Sequence, residues 1–324
     1  MIKTYIPRDR YLSRIEPFFG KEMIKVLTGQ RRVGKSYLLF QIMDMVKRLG
    51  PKDGRIIYIN KELHEFDAIK DYRGLLEYIA GKSEGAKNLF VFIDEIQEID
   101  QFEKALRSLQ ARGGYDIYCT GSNAELLSGE LAGRLSGRYM EIKVFGLSYP
   151  EFLRFHKLED SGDSFLKYAR YGGLPYLVNL KLEDDVVREY LRSIYETILL
   201  KDIVARYGVR NVNFLERLAE FLAGNTGSLV SAKRISDFLK SQKTNISPNV
   251  VLNYLSFLVS AFLIFKVPRA DVAGRKIFEI GEKYYFEDLG IRHAISGYRH
   301  GDINKILENL VFIHLKMSGY KVNV

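Results

Sequence analysis

The sequence has little of what marks a secreted or membrane-spanning protein. Its single cysteine, Cys119, excludes a disulfide within the chain. The N-terminal sequence MIKTYIPRDRYLSRI is interrupted by charges and lacks the apolar core of a signal peptide. The longest apolar-rich stretch, Val251–Phe265, contains Asn253 and two serines and is shorter than a bilayer span. These absences predict a cytoplasmic protein that does not enter a membrane.

Acidic residues are fewer than basic ones, 40 against 49, so the formal net charge is +9. A basic balance favours anionic partners such as nucleotides, nucleic acid or acidic protein surfaces. It does not choose among them, since surplus lysine on a solvated surface gives the same balance. The 324 residues suggest two or three domains, and 47% hydrophobic content is enough to build their cores.

Residues 1–150 alternate two kinds of pattern. Helical spacing separates short runs that are rich in β-branched and aromatic residues, and this alternation predicts a parallel sheet with helices on both faces. The predicted strands are Met23–Leu27, Arg55–Ile59, Leu89–Ile93 and Asp116–Thr120, and the predicted helices are Ser36–Leu49, Tyr72–Ala80 and Phe102–Arg112.

The remainder of the chain reads as three further parts. Residues 151–224 carry helical spacing in Glu151–His156, Ser164–Tyr171, Asp184–Tyr207 and Phe214–Ala223, which predicts a helical region. In residues 225–295, a short helix around Ile235 and a helix that begins at Pro248 precede strand-like runs at Phe262–Val267 and Lys276–Ile280, the outline of a winged helix. Residues 296–324 contain one more predicted helix, Ile306–Ser318.

The segment Gly29–Ser36 matches the phosphate-binding pattern G-x-x-x-x-G-K-[ST] in full, between a predicted strand and a predicted helix. Its glycines allow backbone N–H groups to point at phosphate oxygens, and the helix start adds further donors. Lys35 is expected to reach the β- and γ-phosphates of ATP, and the Ser36 hydroxyl to hold Mg²⁺. The predicted nucleotide-binding residues are Gly29, Gln30, Arg31, Arg32, Val33, Gly34, Lys35, Ser36 and Tyr37.

Two carboxylates, Asp94 and Glu95, follow the apolar strand Leu89–Ile93. Ligands of a parallel sheet bind at the carboxyl ends of its strands. We therefore expect Asp94 to position Mg²⁺ and Glu95 to orient and polarise the attacking water as a general base.

Polar residues after the next strand are candidates for sensing the γ-phosphate. Ser122 and Asn123 follow the strand that ends at Thr120, although a turn with a helix cap explains the same residues. Arg134 and Arg138 come next, and their four-residue spacing would place both on one helical face. Either arginine is a candidate to compensate γ-phosphate charge, in its own site or in a neighbouring subunit's, and a solvated surface explains them equally well.

Six segments in this order resemble uncharacterised prokaryotic AAA-type ATPases that carry a C-terminal domain of unknown function. They are Leu27–Leu38, Phe92–Glu95, Thr120–Asn123, Gly133–Arg134, Leu147–Phe152 and Tyr171–Pro175. The resemblance implies an ASCE-type sheet, a helical lid, a winged helix and then a restriction-endonuclease-like fold. It also implies that Lys35, Ser36, Asp94 and Glu95, together with Asn123 and Arg134, are functional residues of the ATPase site. The acidic and lysine positions of a nuclease that would follow Glu308 are absent from this sequence.

Two functions remain open at this point. The first is a Mg²⁺-dependent ATPase that acts as a switch or remodeller of a protein partner or of a homo-oligomer. The second is an ATP-regulated DNA-binding protein, because the stretch from Asn225 to Lys283 holds nine basic and four acidic residues. The helix that begins at Pro248 is largely apolar, which favours a structural or assembly role for the winged helix.

Overall fold

The computed structural model describes residues 5–124, 138–241, 245–268 and 281–324. The chain forms two compact units. The first contains Met1–Gly29 and Gly34–Val144, and the second contains Gln30–Val33 and Phe145–Val324. The chain therefore passes from the first unit into the second and back again within the phosphate-binding segment.

The first unit is built on a five-stranded parallel sheet. The strands are β1 (Ile24–Thr28), β2 (Arg55–Asn60), β3 (Leu89–Asp94), β4 (Tyr115–Gly121) and β5 (Tyr139–Lys143). Their order is β2-β3-β4-β1-β5, and every neighbouring pair is parallel. All carboxyl ends consequently lie at one edge of the sheet, where β3 and β1 are separated by β4 alone.

Helices cover both faces of this sheet. Every residue of the central strand β3 is buried as a consequence. The helices are α1 (Asp9–Ile15), α2 (Lys35–Leu49), α3 (Tyr72–Ser83) and α4 (Phe102–Arg112). On one face, Val91 and Ile93 pack in a cluster with apolar side chains of α3 and α4. On the other, the rings of Phe92 and Tyr118 stack with centroids 4.8 Å apart, and α2 contacts β3 and β4.

The predicted α/β fold with a parallel sheet is confirmed, and each of the four predicted strands coincides with an observed one to within a residue at either end. Strand β5 was not predicted from the sequence. This strand pairs on one side only, with β1, and leaves most of its side chains partly exposed. An edge strand of this kind lacks the continuous apolar run that marks the buried strands.

The second unit is mainly helical. Its helices are α5 (Tyr149–His156), α6 (Gly162–Tyr171), α7 (Asp184–Thr197), α8 (Val212–Gly224), α9 (Ala232–Ser241), α10 (Pro248–Ser260), α11 (Leu289–Ser296) and α12 (Ile303–Met317). The predicted helix Asp184–Tyr207 is in fact two segments, since α7 continues into a π-helix at Ile198–Ala205. Across the described part of the chain, no helix is both long enough and apolar enough to cross a bilayer.

A small antiparallel sheet lies in the second unit. It consists of β6 (Leu229–Val230), β7 (Ile264–Val267) and β8 (Glu282–Phe286), in the order β6-β8-β7. The predicted strand Lys276–Ile280 lies outside the described residues. The segment that pairs with β7 is β8. Helix α12 packs on this sheet, where Phe312 stacks on Tyr285 with ring centroids 4.3 Å apart.

The segments Leu147–Phe152 and Tyr171–Pro175, which resemble the ATPase family, meet inside the second unit. Gly173 O accepts a 2.6 Å hydrogen bond from Leu147 N, and Gly173 N donates a 2.7 Å bond to Asp288 Oδ2. A β-carbon on Gly172, whose φ is +78°, would meet the Asp288 carboxylate at 2.3 Å. Burial raises the pKa of Asp288 to about 6. These glycines are therefore required by close packing around a buried carboxyl that caps α11.

Candidate nucleotide site

The loop between β1 and α2 turns through three residues with positive φ. Gly29 has φ +151° and Gly34 has φ +94°, values that favour glycine. Arg32, with φ +71°, adopts the left-handed region although it carries a side chain. The loop then enters α2 at Lys35. The first N–H groups of a helix have no partners within it, so the end of this loop presents donors suited to an anion.

The side chain of Lys35 folds back over the loop. It is 4% exposed, and its Nζ donates a 2.9 Å hydrogen bond to Gly29 O. Of the other predicted nucleotide-binding residues, Gln30, Arg31 and Val33 are buried, whereas Arg32 and Tyr37 are exposed and Ser36 is half-buried.

Asp94 ends β3 as a buried carboxylate. Its Oδ1 accepts a 2.5 Å hydrogen bond from Thr120 Oγ1 at the end of β4. Burial raises the pKa of Asp94, and the hydroxyls of Thr120 and Ser36 counteract part of that rise. Its Oδ2 is buried without a hydrogen-bond partner among the described residues. The structure thus brings Ser36, Asp94 and Thr120 together at the carboxyl edge of the sheet.

Glu95 is held in a different way from its neighbour. Its backbone lies in the left-handed region, with φ +57°, and its N–H donates a 2.9 Å bond to Thr120 Oγ1. Its Oε2 accepts hydrogen bonds from Ser122 Oγ, at 3.1 Å, and from Gln97 Nε2. A bulky residue in this region is strained, and such strain concentrates at functional sites.

Ser122 and Asn123 were preferred to Thr120 as sensor candidates from the sequence, and Gln97 was given no role. Thr120 connects both carboxylate residues, since its hydroxyl donates to Asp94 and accepts from the Glu95 backbone. The position of Thr120 at the end of the buried strand β4 was the one sequence feature that pointed to a role in the site. Gln97 lies in a short 3₁₀ helix after β3 and gives no pattern. Of the two predicted sensor candidates, Ser122 donates a hydrogen bond to Glu95 and Asn123 is buried.

The two candidate arginines differ in what the structure describes. Arg134 lies outside the described residues. Arg138 is exposed and directly precedes β5, where its carbonyl accepts a 3.1 Å bond from Ile24 N. It therefore lies at the amino edge of the sheet, roughly 16 Å of strand from the carboxyl edge. The predicted helical face does not extend to Arg138, and the candidate nucleotide site of the same chain is at the opposite edge.

The residues present suit a magnesium ion. Mg²⁺ takes oxygen ligands, keeps several waters and is usually held by one or two protein oxygens together with substrate phosphates. Asp94 Oδ2 is an acceptor left without a partner among the described residues, and the Ser36 hydroxyl lies near the same carboxylate. This pair of oxygens is the candidate ion site.

Comparison with known families identifies both halves of the chain. Residues 21–153 match the model of an AAA domain, and residues 162–301 match a domain of unknown function, DUF8612. The chain belongs to the prokaryotic AAA-type P-loop family that joins these two domains. An uncharacterised protein of Haemophilus influenzae is 36% identical over 330 residues, covering 100% of this chain and 82% of the relative.

A second relative and a solved structure extend the comparison. The uncharacterised protein MJ1544 of Methanocaldococcus jannaschii is 33% identical over 313 residues, covering 93% of this chain and 68% of the relative. The Walker-type ATPase PABY2304 of Pyrococcus abyssi superposes with a TM-score of 0.56 at 15% identity, covering 90% of this chain and 96% of that structure. At this identity the likeness establishes the P-loop ATPase fold.

Proposed function

We propose that the protein binds Mg²⁺ and ATP and hydrolyses the nucleotide. The observation that carries this proposal is the Thr120 hydroxyl, which bonds to the Asp94 carboxylate and to the Glu95 backbone at the edge where α2 begins with Lys35 and Ser36. A coincidental match to the phosphate-binding pattern would not require two buried carboxylates fixed by the neighbouring strand.

Each residue has a distinct task in this proposal. The Lys35 ammonium, now bonded to Gly29 O, is close enough to exchange that acceptor for phosphate oxygens. Ser36 and Asp94 hold Mg²⁺, which neutralises phosphate charge as it develops. The raised pKa of Asp94 supports this role, because a buried carboxylate with one unpartnered oxygen gains a counter-charge when the cation binds.

Glu95 acts as the general base that orients and polarises the attacking water. Ser122 and Gln97 both donate to its Oε2, and these bonds orient the carboxylate that is proposed to accept the water's proton. Asn123, which is buried just after strand β4, is the proposed γ-phosphate sensor. Arg134 is proposed to meet γ-phosphate charge from the rim of the site, in its own subunit or in a neighbour's.

The nucleotide cycle is proposed to drive a switch or remodelling step on a protein partner or a homo-oligomer. We infer that residues 225–295 form a winged helix. Two helices, α9 and α10, precede the pair β7 and β8, and β6 joins their outer edge. The exposed side of α10 carries Val250, Leu252, Asn253 and Ser256 and has no basic residue along this described helix. An apolar and uncharged surface of this kind suits protein contacts.

Regulated DNA binding is the second candidate, and the described residues favour it less. Lys266 and Lys283 lie on the strands of the winged helix, but each is paired, with Glu282 at 2.5 Å and with Glu308 at 2.7 Å. Lys243, Arg269, Arg275 and Lys276 lie outside the described residues. ATPase activity measured with and without duplex DNA over a salt series separates the two, because DNA stimulation must weaken steeply with salt.

The proposal is tested most directly with Glu95→Gln. We expect Mg·ATP binding close to wild type and turnover at least ~100-fold slower, the scale expected for loss of a positioned base. Binding is measured by calorimetry and turnover by phosphate release. Gln97→Ala is the control, since it removes a donor to Glu95 but leaves the base in place. Normal hydrolysis by Glu95→Gln would overturn the assignment.

A further inference from the structure

The central arginine of the phosphate loop is bonded to a residue far along the chain. Arg31 Nε donates to Asp202 Oδ2 at 2.9 Å, and Arg31 Nη2 donates to Asp202 Oδ1 at 2.8 Å. Both side chains are buried, with 9% exposure for Arg31 and 1% for Asp202. A two-point contact between a planar guanidinium and a carboxylate fixes orientation as well as distance.

The rest of the loop shows why this contact matters for its conformation. Gln30–Val33 belongs to the second unit, whereas Gly29 and Gly34 on either side belong to the first. Within this stretch, the backbone bond from Val33 N to Gln30 O is 3.5 Å long, which is weak. The two charge-assisted bonds from Arg31 therefore hold the middle of the loop much more firmly than that backbone bond does.

The partner carboxylate occupies an unusual segment. Asp202 lies in the π-helix Ile198–Ala205, which continues α7. π-Helical turns are rare and concentrate at functional sites. No part of the proposed hydrolysis uses Asp202, and a lone aspartate within a helical pattern carries no signal in the sequence.

We propose that Asp202 is a positioning residue for the nucleotide, which acts through Arg31 to hold the phosphate loop in the conformation that receives phosphates. The inference rests on the proposed function, because it assumes that the loop binds a nucleotide. It also has a reciprocal consequence. If the pair favours nucleotide binding, nucleotide binding must favour the pair by the same factor and so stabilise the π-helix.

The first experiment compares Asp202→Asn with wild type by calorimetric titration with ADP in the presence of Mg²⁺. We expect the ADP dissociation constant to rise about 5- to 150-fold, the usual range for coupling between two sites. The matched control is Asp302→Asn, because Asp302 also pairs with a buried arginine of the second unit, Arg292, at 2.7 Å. This control breaks an ion pair of the same chemistry that involves no loop residue, so its ADP affinity stays near wild type.

A double variant separates positioning from general destabilisation. Arg31→Gln with Asp202→Asn replaces both partners by amides and leaves no unpaired buried charge. We expect it to bind ADP more tightly than Asp202→Asn alone, since an unpaired Arg31 no longer distorts the loop. Equal ADP affinity in wild type and Asp202→Asn, both of them folded, would overturn the inference while leaving the proposed function intact.

Amide hydrogen exchange on the wild-type protein tests the reciprocal effect directly. Adding ADP is expected to slow exchange across residues 198–205 at least ~5-fold, and Lys35→Ala is expected to lose that response. Bound ADP with unchanged exchange at 198–205 would overturn the inference. Failure of wild type to bind ADP at all would instead overturn the proposed function.

Discussion

Each edge of the parallel sheet buries one lysine and one aspartate, yet the two edges satisfy these charges in opposite ways. At the amino edge, Lys25 and Asp116 form a direct ion pair. Asp116 also accepts from Tyr118 Oη at 3.0 Å and from Gly20 N at 2.9 Å. At the carboxyl edge, Lys35 bonds to a backbone carbonyl and Asp94 to a hydroxyl, and Asp94 Oδ2 has no partner among the described residues.

The difference distinguishes a structural ion pair from the proposed binding site. Buried charges are tolerated when they are paired and hydrogen-bonded, and the amino edge meets that condition within the fold. The carboxyl edge leaves a carboxylate oxygen unsatisfied and raises the pKa of Asp94. An arrangement of this kind is completed by a ligand that brings both a cation and an anion, as Mg·ATP does.

Exchange of each lysine for alanine tests this comparison with the largest expected effects. Lys35→Ala should weaken ATP binding at least ~100-fold, because charge-assisted contacts contribute about 1.5–3 kcal/mol each and Lys35 is expected to make two. Its stability should change little. Lys25→Ala should lower the free energy of unfolding by about 3–5 kcal/mol, since it leaves Asp116 buried and unpaired.

Calorimetric ATP titration and chemical denaturation of both variants provide the readouts. The comparison fails if Lys35→Ala binds ATP normally, or if folded Lys25→Ala loses ATP affinity as severely as Lys35→Ala does. In either case, ATP affinity would not depend on the carboxyl edge and stability on the amino edge.

A second test changes the hydroxyl that lowers the pKa of Asp94. Thr120→Val removes the bond to Asp94 Oδ1 at nearly constant volume, so the pKa of Asp94 rises further above its usual range. Mg²⁺ needs the ionised carboxylate, so activity is lost as pH falls through this pKa. We expect the acid limb of the ATPase pH profile to move to higher pH by about one unit, since a bond to a charged group contributes about 1.5–3 kcal/mol.

Thr120→Ser is the matched variant, because it keeps the hydroxyl and removes a methyl group. Its acid limb should stay near the wild-type position. An unchanged limb in Thr120→Val would mean that ionisation of Asp94 does not control activity. The shift is read from turnover measured between pH 5 and 8, the range in which folded proteins are generally most stable.

Much of the carboxyl edge could be predicted from the sequence, because the strand, loop and helix that form it are consecutive in the chain. Apolar runs identify β1, β3 and β4, and ligands of parallel sheets bind where such strands end. This reasoning placed Lys35, Ser36, Asp94 and Glu95 at the carboxyl edge, and the structure has them there. Helix α4 was predicted at its observed bounds, since its apolar side chains recur at helical spacing.

What escaped prediction depends on contacts between residues far apart in the chain. Asp202 and Asp288 are single carboxylates that look solvated in sequence, and only folding brings them to Arg31 and Gly173. The π-helix differs from an α-helix by its hydrogen bonding and leaves no periodic signal of its own. Arg138 was predicted to share a helical face with Arg134 from their four-residue spacing, but Arg138 directly precedes the edge strand β5.

The smallest expected effect concerns backbone strain, which also distinguishes the carboxyl edge. Arg32 follows β1 and Glu95 follows β3, and both have positive φ. A side chain in the left-handed region costs about 1–2 kcal/mol relative to the right-handed one, while glycine loses more entropy on folding, about 0.5–1 kcal/mol. These terms nearly cancel, so Arg32→Gly should change the free energy of unfolding by less than ~1 kcal/mol.

Arg32→Val places a β-branched residue at φ +71°, where its two γ-carbons crowd the backbone. It should be less stable than Arg32→Gly by about 1–2 kcal/mol. Denaturant titration of both variants measures this difference, and ADP titration reports whether the loop keeps its shape. Equal stability of the glycine and valine variants would show that the loop relaxes out of the left-handed conformation at residue 32.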